Sequence, residues 1–422
     1  MMTGQIVYGK KSFLGRITVF LLIAVYFQLT FCESLVAQSF QFQYNLKRGS
    51  INFTQVKNLI IIPLYINEKG PFNFILDTGV GPTIIIDSTI VSKKTLKNLR
   101  SVKIKGAGEG KEIDAYISNE IDAKIGEAII QNVPTVFLKE DIFNFSNYLG
   151  KQIHGLIGFN FFNSFIVKIN YVHSRLSFRL PETRKKTNWN KLDLEFLDNR
   201  PYVNLDLNVK DLGTVKAKLI VDCGATHALS LEAFENEVFP LPDPHFKANL
   251  GVGLSGKING HIGRISSVKL GDYEIKNVLT SFPDYNDVAA KSSQKQRTGN
   301  LGANLLRKFT VIFDYKKNAM YLKKNRHYSE LLEHDMSGLE IASIDQQPLR
   351  KVVSRVEPDS PAEKAGILAD DEILSINFVT TEKYSIDDIE GLFKSYQDRK
   401  IVIEISRDKT RYIKLLTLKR RI

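Results

Sequence analysis

Residues 72–86 read FNFILDTGVGPTIII, two apolar runs separated by Asp77-Thr78-Gly79. The first run has the aromatic and branched character of a buried strand, and the second resumes it after the turn. A carboxylate set between two buried strands is costly unless it is paired or hydrogen-bonded. The stretch therefore asks for a partner elsewhere in the chain.

Sliding the chain against itself supplies one. A shift of 145 (222 − 77) places Asp77-Thr78-Gly79 on Asp222-Cys223-Gly224, and Gly106 and Gly108 on Gly251 and Gly253. It also places KIGE from Lys124 on KLGD from Lys269, and Asn132-Val133 on Asn277-Val278. With the shift reduced by one residue, Gly155 and Gly158 meet Gly299 and Gly302. Asn160, Phe165, Val167 and Tyr171 then meet Asn304, Phe309, Val311 and Tyr315. One such match arises by chance; a series in constant order is a duplication.

Each copy reads as strands. NLIIIPLYI and YVNLDLNV are apolar or alternating runs, FNFILD and AKLIVD end at the repeated aspartate, and FIVKIN and FTVIFD follow later. Helical signal is confined to short pieces such as LEAFENEVF, residues 231–239. The expectation is a mainly β chain with two homologous lobes, residues 40–185 and 190–326, and a different module over 332–422. In that module SIDDIEGLFKSY predicts a helix. Ser385 caps it, Asp388 completes a capping box, and Ile389, Leu392 and Phe393 form one apolar face. KIVIEISR and YIKLLTLKR close the chain as strands.

A length of 422 residues fits two or three domains, and 43% hydrophobic with 25% charged residues is ordinary for globular chains. The formal charge of +12 is scattered along the chain. It points to solubility and weak surface attraction, with no nucleic-acid partner expected. Lys10, Lys11 and Arg16 precede the apolar run ITVFLLIAVYFQLTF, and SLVAQ follows. Residues 1–37 therefore read as a signal peptide, with an uncleaved anchor as the alternative. The expectation is an exported protein, periplasmic or envelope-associated, with no stable membrane span after cleavage. Bulky Phe31 before Cys32 argues against a lipoprotein site. The mature chain then holds one cysteine, Cys223, and no intrachain disulfide.

One aspartate per lobe, each at a strand end, predicts a site where the lobes meet. Two carboxyls within hydrogen-bond distance share a proton, and one apparent pKa rises. Such a pair can hold a water, one carboxylate taking its proton while the other carboxyl protonates a carbonyl oxygen. The glycine of each loop lets the backbone turn and approach its twin, and the Thr78 hydroxyl can reach across to the other loop.

These loops resemble those of the aspartic proteases, in the two-repeat, retropepsin-like form of bacteria. HGLIG and TGNLG match the late apolar-apolar-Gly strand of such lobes. The resemblance implies an aspartic endopeptidase with Asp77 and Asp222 as its catalytic dyad, supported by Thr78, Gly79, Cys223, Gly224 and Ala225. It places flap hairpins at GAGEG (106–110) and GVGLSG (251–256), so that Gly106, Gly108, Gly251 and Gly253 would meet an extended peptide substrate. Two residues depart from the family pattern: Val80 follows the first glycine in place of a small residue, and Cys223 replaces a hydroxyl residue. No cofactor and no metal site are implied.

Other readings are weaker. Cys223 with His227 is a conceivable nucleophile pair, against a buried cysteine acting as a small hydrophobe. GVGLSG has GxGxxG spacing, but no helix follows to bind phosphate. The seven His show no metal-ligand spacing. DIFNFSNYLGKQ, residues 141–152, is read as a loop flanking the cleft or as plain loop packing.

SPAEKAGILADDEILSIN, from Ser360, resembles the core of PDZ domains, with Asp370-Asp371 in place of the usual Gly-Asp. That resemblance implies a peptide C-terminus added beside the strand at Gly338, Leu339, Glu340 and Ile341, with Ile389 facing its side chain. A PDZ fold used only for packing is the alternative. For the whole chain, a peptide-binding protein on an inactive protease scaffold and an adaptor working through the PDZ domain are the competing functions.

Overall fold

The computed structural model describes residues 39–91, 96, 98–104, 112–139, 145–183, 187–235, 237–253, 256–284, 297–344 and 350–422. The expected signal peptide and the first expected flap, with Gly106 and Gly108, lie outside them. Among the described residues no helix is long and apolar enough to cross a membrane.

Strands dominate, and two of the sheets carry corresponding strands. The first lobe is a nine-stranded sheet in which Lys69–Leu76, ending beside Asp77, is central. The second is an eight-stranded sheet in which Gly213–Asp222 takes the same place. In each, a short late strand inserts parallel to the aspartate strand: Gly155–Ile157 beside Lys69–Leu76, and Gly299–Gly302 beside Gly213–Asp222. The spacing leaves no room for side chains at the repeated glycines. A Cβ at Gly158 would lie 2.0 Å from the Asp77 carbonyl oxygen, and one at Gly302 would lie 2.2 Å from that of His227.

The lobes do not simply abut. A six-stranded sheet takes Arg48–Asn52, Ile166–Asn170 and Arg175–Arg179 from the first copy and Asn190–Asp193, Phe309–Asp314 and Ala319–Lys324 from the second. Val167 faces Phe313 across the junction. Its inner side carries the repeated apolar positions Phe165, Val167 and Tyr171 with Phe309, Val311 and Tyr315, all in one buried core. Phe162 packs edge-on to Phe313 at 5.2 Å and stacks on Tyr315 at 5.5 Å. At about 25 cal/mol per Å² of apolar surface, burial of these rings is a main source of cohesion between the copies.

One expected element is absent. LEAFENEVF is not a helix: Leu229–Leu231 is a strand, and Ala233–Phe234 pairs with Glu237–Val238 in a small hairpin. Tertiary partners override the helical propensity. The Glu232 and Ala233 N–H groups donate to the Thr298 carbonyl, and Glu232 receives two hydrogen bonds from Arg297.

The C-terminal module folds round its own core of Ile341, Val353, Ile373, Ile389, Phe393 and Ile403 among others. Its sheet runs Leu339–Ile344, Arg350–Val356, Glu372–Ile376, Lys400–Arg407, Thr410–Thr417. The helix Ile386–Phe393 has the predicted capping box, with Ser385 and Asp388 bonding reciprocally. Devices of this kind contribute about 1 kcal/mol.

This module is pinned to both lobes. The two-residue turn Lys57-Asn58 reaches it from the first lobe: the Lys57 ammonium lies 2.8 Å from the Glu390 carboxylate and 3.7 Å from the centre of the Tyr148 ring. The Lys57 N–H donates to Asp387 Oδ1 at 2.7 Å. From the second lobe, Asn249 Nδ2 donates to Glu340 Oε2 at 3.0 Å, and Arg421 lies 3.7 Å over the Phe246 ring.

Candidate active site

The two aspartate loops meet face to face. The Asp77 and Asp222 carboxyls lie side by side, both within 3.1 Å of the point a Cβ at Gly79 would occupy, and each acts on the other's charge. Each loop supports its own carboxyl identically: the Gly79 N–H donates to Asp77 Oδ1 at 2.6 Å, and the Gly224 N–H to Asp222 Oδ1 at 2.9 Å. The approach requires glycine at 224 and leaves little room at 79. A Cβ at Gly224 would lie 2.2 Å from the Asp77 carboxyl carbon, and one at Gly79 would lie 3.1 Å from that of Asp222.

Beneath the carboxyls the loops are cross-braced. Thr78 Oγ1 donates to the Val221 carbonyl at 2.6 Å and accepts the Cys223 N–H at 3.0 Å. The Cys223 thiol donates to the Leu76 carbonyl at 3.2 Å. The cysteine therefore keeps the symmetric connection that a hydroxyl would make, through a weaker donor. Ala225 donates its N–H to the Asp222 carbonyl and accepts that of Ala303, which ties the second loop to the helical turn behind it.

The electrostatics separate the two carboxyls. Burial and the adjacent Asp222 carboxyl push Asp77 well above the ordinary carboxylate range. Burial also raises Asp222, but the adjacent Asp77 carboxyl, the Gly224 N–H and the cations Arg297 and Arg200 pull it back. Asn300 Nδ2 donates a further bond to Asp222 Oδ2 at 3.2 Å. Its counterpart in the first copy is Leu156, so only one loop receives this donor. Arg200 Nε donates to the Gly79 carbonyl at 2.8 Å and so stands beside the pair. Both carboxyls are thus held above the ordinary carboxylate range.

The cysteine-nucleophile alternative fails on the geometry. Cys223 is fully buried, burial pushes its thiol far above the ordinary range, and its bond goes to Leu76. Among the described residues no hydrogen bond joins it to His227, whose ring is held neutral by burial and Arg297, down to about 4.

The described glycines of GVGLSG, Gly251, Gly253 and Gly256, belong to paired strands and not to a phosphate loop. His245–Gly253 pairs with Gly256–Leu270 up to Gly253 opposite Gly256, with an irregularity between Asn249 and Gly251. Gly251 has φ +124°, which only glycine adopts readily. Of DIFNFSNYLGKQ, the described helix Phe145–Leu149 and Gly150 pack against the C-terminal module. A Cβ at Gly150 would lie 2.8 Å from Ser343 Oγ and 3.1 Å from Ile386. In that module Gly338 turns with φ +77° into the strand Leu339–Ile344, and Ile389 is buried beneath it. Leu339, Glu340, Ile341 and Ile389 all line one cavity of about 230 Å³, and residues of both lobes complete it.

No sequence signal marks Arg200 or Lys57, because their partners lie far away in the chain. Asn300 has one: it is polar where the aligned Leu156 is apolar.

The family described as Aspartyl protease matches residues 62–161, and the family described as PDZ domain matches residues 352–407. No curated protein matches the chain. Among solved structures, the photosystem II D1 C-terminal processing protease is similar at 26% identity, over 19% of this chain and 22% of its own length. Its TM-score of 0.18 carries no argument about the present fold. By fold and by family match, the chain is a mainly β protein that carries an aspartyl protease domain followed by a C-terminal PDZ domain.

Proposed function

We propose that this protein is an exported aspartic endopeptidase whose two lobes, residues 40–185 and 190–326, hydrolyse peptide bonds through a water activated by Asp77 and Asp222. The observation that carries the reading is the pair of adjacent carboxyls, Asp77 buried and Asp222 half-buried, at the crossing of two matched loops. Asp222, favoured as the carboxylate by Asn300, Arg297 and Arg200, takes a proton from the attacking water. Asp77, held protonated, gives its proton to the carbonyl oxygen. The tetrahedral intermediate then collapses as a proton passes to the leaving nitrogen, and no covalent enzyme intermediate forms. The rigid Thr78–Cys223 brace fixes the carboxyls, and preorganisation of that kind lowers the barrier. The hairpin at Gly251 and Gly253 closes over an extended peptide, and the PDZ module, residues 332–422, holds or selects it.

A tetrahedral mimic tests this reading. A peptide whose scissile amide is replaced by a hydroxyl-bearing isostere should bind at least about 100-fold tighter than the parent peptide. Equal affinity for the two would favour the peptide-binding protein on an inactive scaffold.

A further inference from the structure

We propose that the outer face of the six-stranded sheet rests on a membrane surface, where its cations meet anionic lipid headgroups and Trp189, Leu46 and Tyr44 enter the boundary with the acyl chains. This contact is independent of peptide hydrolysis.

The strand register gathers on one face charges that the sequence scatters. Arg175–Arg179 lies between Ile166–Asn170 and Arg48–Asn52. Ile166 is opposite Arg179, which is opposite Arg48; Lys168 is opposite Ser177, and Arg175 opposite Asn52. Val167, Leu176 and Phe178 belong to the core on the inner side. Strand alternation therefore turns Arg48, Lys168, Arg175 and Arg179 outward together. These four cations line one hollow of about 410 Å³, and no carboxylate lines it. The two carboxylates of the sheet are outside that lining: Asp314 is buried, and Asp193 pairs with Lys191. Arg48 and Arg175 are exposed, and Arg175 Nη2 donates to a neutral group, Ser50 Oγ, at 2.7 Å.

Apolar side chains stand among the cations. Trp189, the single tryptophan of the chain, packs on an outer cluster of Ile166, Ile312, Ala319 and Tyr321. The Lys168 and Lys323 ammonium groups each lie 5.8 Å from its ring centre. At the edge strand the Leu180 N–H donates to the Lys47 carbonyl, so the ladder continues past Arg48 and Leu46 falls on the same side as Arg48. Leu46 is 40% exposed, and Tyr44, in the turn before it, is 82% exposed. An exposed leucine gains nothing from the phosphates of a nucleic acid. Basic residues mixed with Trp, Tyr and Leu suit the headgroup–acyl boundary, where each cation strengthens binding about fivefold.

The geometry also sets an orientation. Burial, and after it the nearby Cys223, Asp77 and Asp222, raises the Tyr315 hydroxyl on the inner side of the sheet. The carboxyl pair thus lies across the sheet from the cations, and a chain resting on this face holds the pair away from the membrane.

The test uses the full chain and reads the fluorescence of Trp189, which reports this face alone because the chain has no other tryptophan. Phosphatidylglycerol vesicles should shift the emission to shorter wavelength. The same lipid with brominated acyl chains should quench it at least about twofold, and molar salt should reverse both effects. Phosphatidylcholine vesicles, plain or brominated, should do neither. Arg48→Glu with Arg175→Glu should abolish the shift and the quenching. If that pair fails to fold, Arg48→Gln with Arg175→Gln should raise the lipid concentration for half-quenching at least about tenfold. An emission that phosphatidylglycerol leaves unchanged overturns the proposal, as does an equal response to phosphatidylcholine or a response that the folded charge variant keeps. The same shift with a DNA duplex or inorganic phosphate overturns it too. So does self-association without lipid that the charge variant removes, which would assign the face to a second copy.

Discussion

Thr78 and Cys223 brace one another's loops unequally. The threonine hydroxyl donates to the Val221 carbonyl at 2.6 Å and accepts the Cys223 N–H, whereas the cysteine thiol donates over a longer 3.2 Å to the Leu76 carbonyl and otherwise meets only the Thr78 hydroxyl, at 3.6 Å. Thr78→Val leaves two buried backbone groups without partners and should cost about 2–4 kcal/mol. Cys223→Ala strands one carbonyl and should cost about 1–2 kcal/mol. Denaturant unfolding of the two variants checks the order, which reverses if the thiol is the main tie.

The dyad makes stability depend on pH in a defined direction. Both carboxyls are raised in the folded chain, so the folded state retains a proton that the unfolded state has lost above about pH 4. Stability from this source is present at acid pH and is lost as pH rises. Asp77→Asn removes the effect, so its melting temperature should gain on the unsubstituted chain between pH 4 and pH 7. A difference, variant minus unsubstituted chain, that stays constant or falls over that range would remove the shared proton from the account.

Asn300 should act through Asp222 and not through substrate. Replacing it with leucine, the residue of the first copy, removes a donor that favours the ionised carboxylate. The acid limb of the kcat/KM profile for peptide cleavage should move to higher pH, with KM little changed. A uniform loss of activity with an unmoved limb would mark Asn300 as structural only.

Lys57 should hold the PDZ module in place. Its buried ammonium and Lys394 draw Glu390 down to about 2, the Coulombic and hydrogen-bonding pull of the two lysines overcoming burial. Stability from that pair is present above the usual glutamate range and is lost as pH falls towards 2. Lys57→Met should cost about 3 kcal/mol at neutral pH. It should also raise hydrogen exchange in the helix Phe145–Leu149 and the helix Ile386–Phe393 together. Exchange raised in neither helix would contradict the docking role.

The sequence makes the two aspartate loops legible because their pattern is local: strand, aspartate, glycine, then strand, repeated. The glycines of HGLIG and TGNLG are equally visible, since each is fixed by one close backbone approach. The six-stranded junction is not legible, because only two of its pairings are local hairpins, and the three that join them to each other and to the outer strands link distant stretches. LEAFENEVF misleads because Glu232 is held by Arg297, 65 residues away. The PDZ loop is recognisable from Gly338 and Leu339, yet its occupation by Asp335 is seen only in the hydrogen bonds.

The most direct measurement is kcat/KM for peptide cleavage by the full chain and by Asp77→Asn, Asp222→Asn and Cys223→Ser, followed from acid to neutral pH. Each Asp→Asn change should lower it by about a thousandfold or more, while Cys223→Ser should keep activity within about tenfold, because serine makes the same cross-loop bond. Cleavage that survives both Asp→Asn changes, or that vanishes with Cys223→Ser in a folded chain, would contradict the shared-proton dyad.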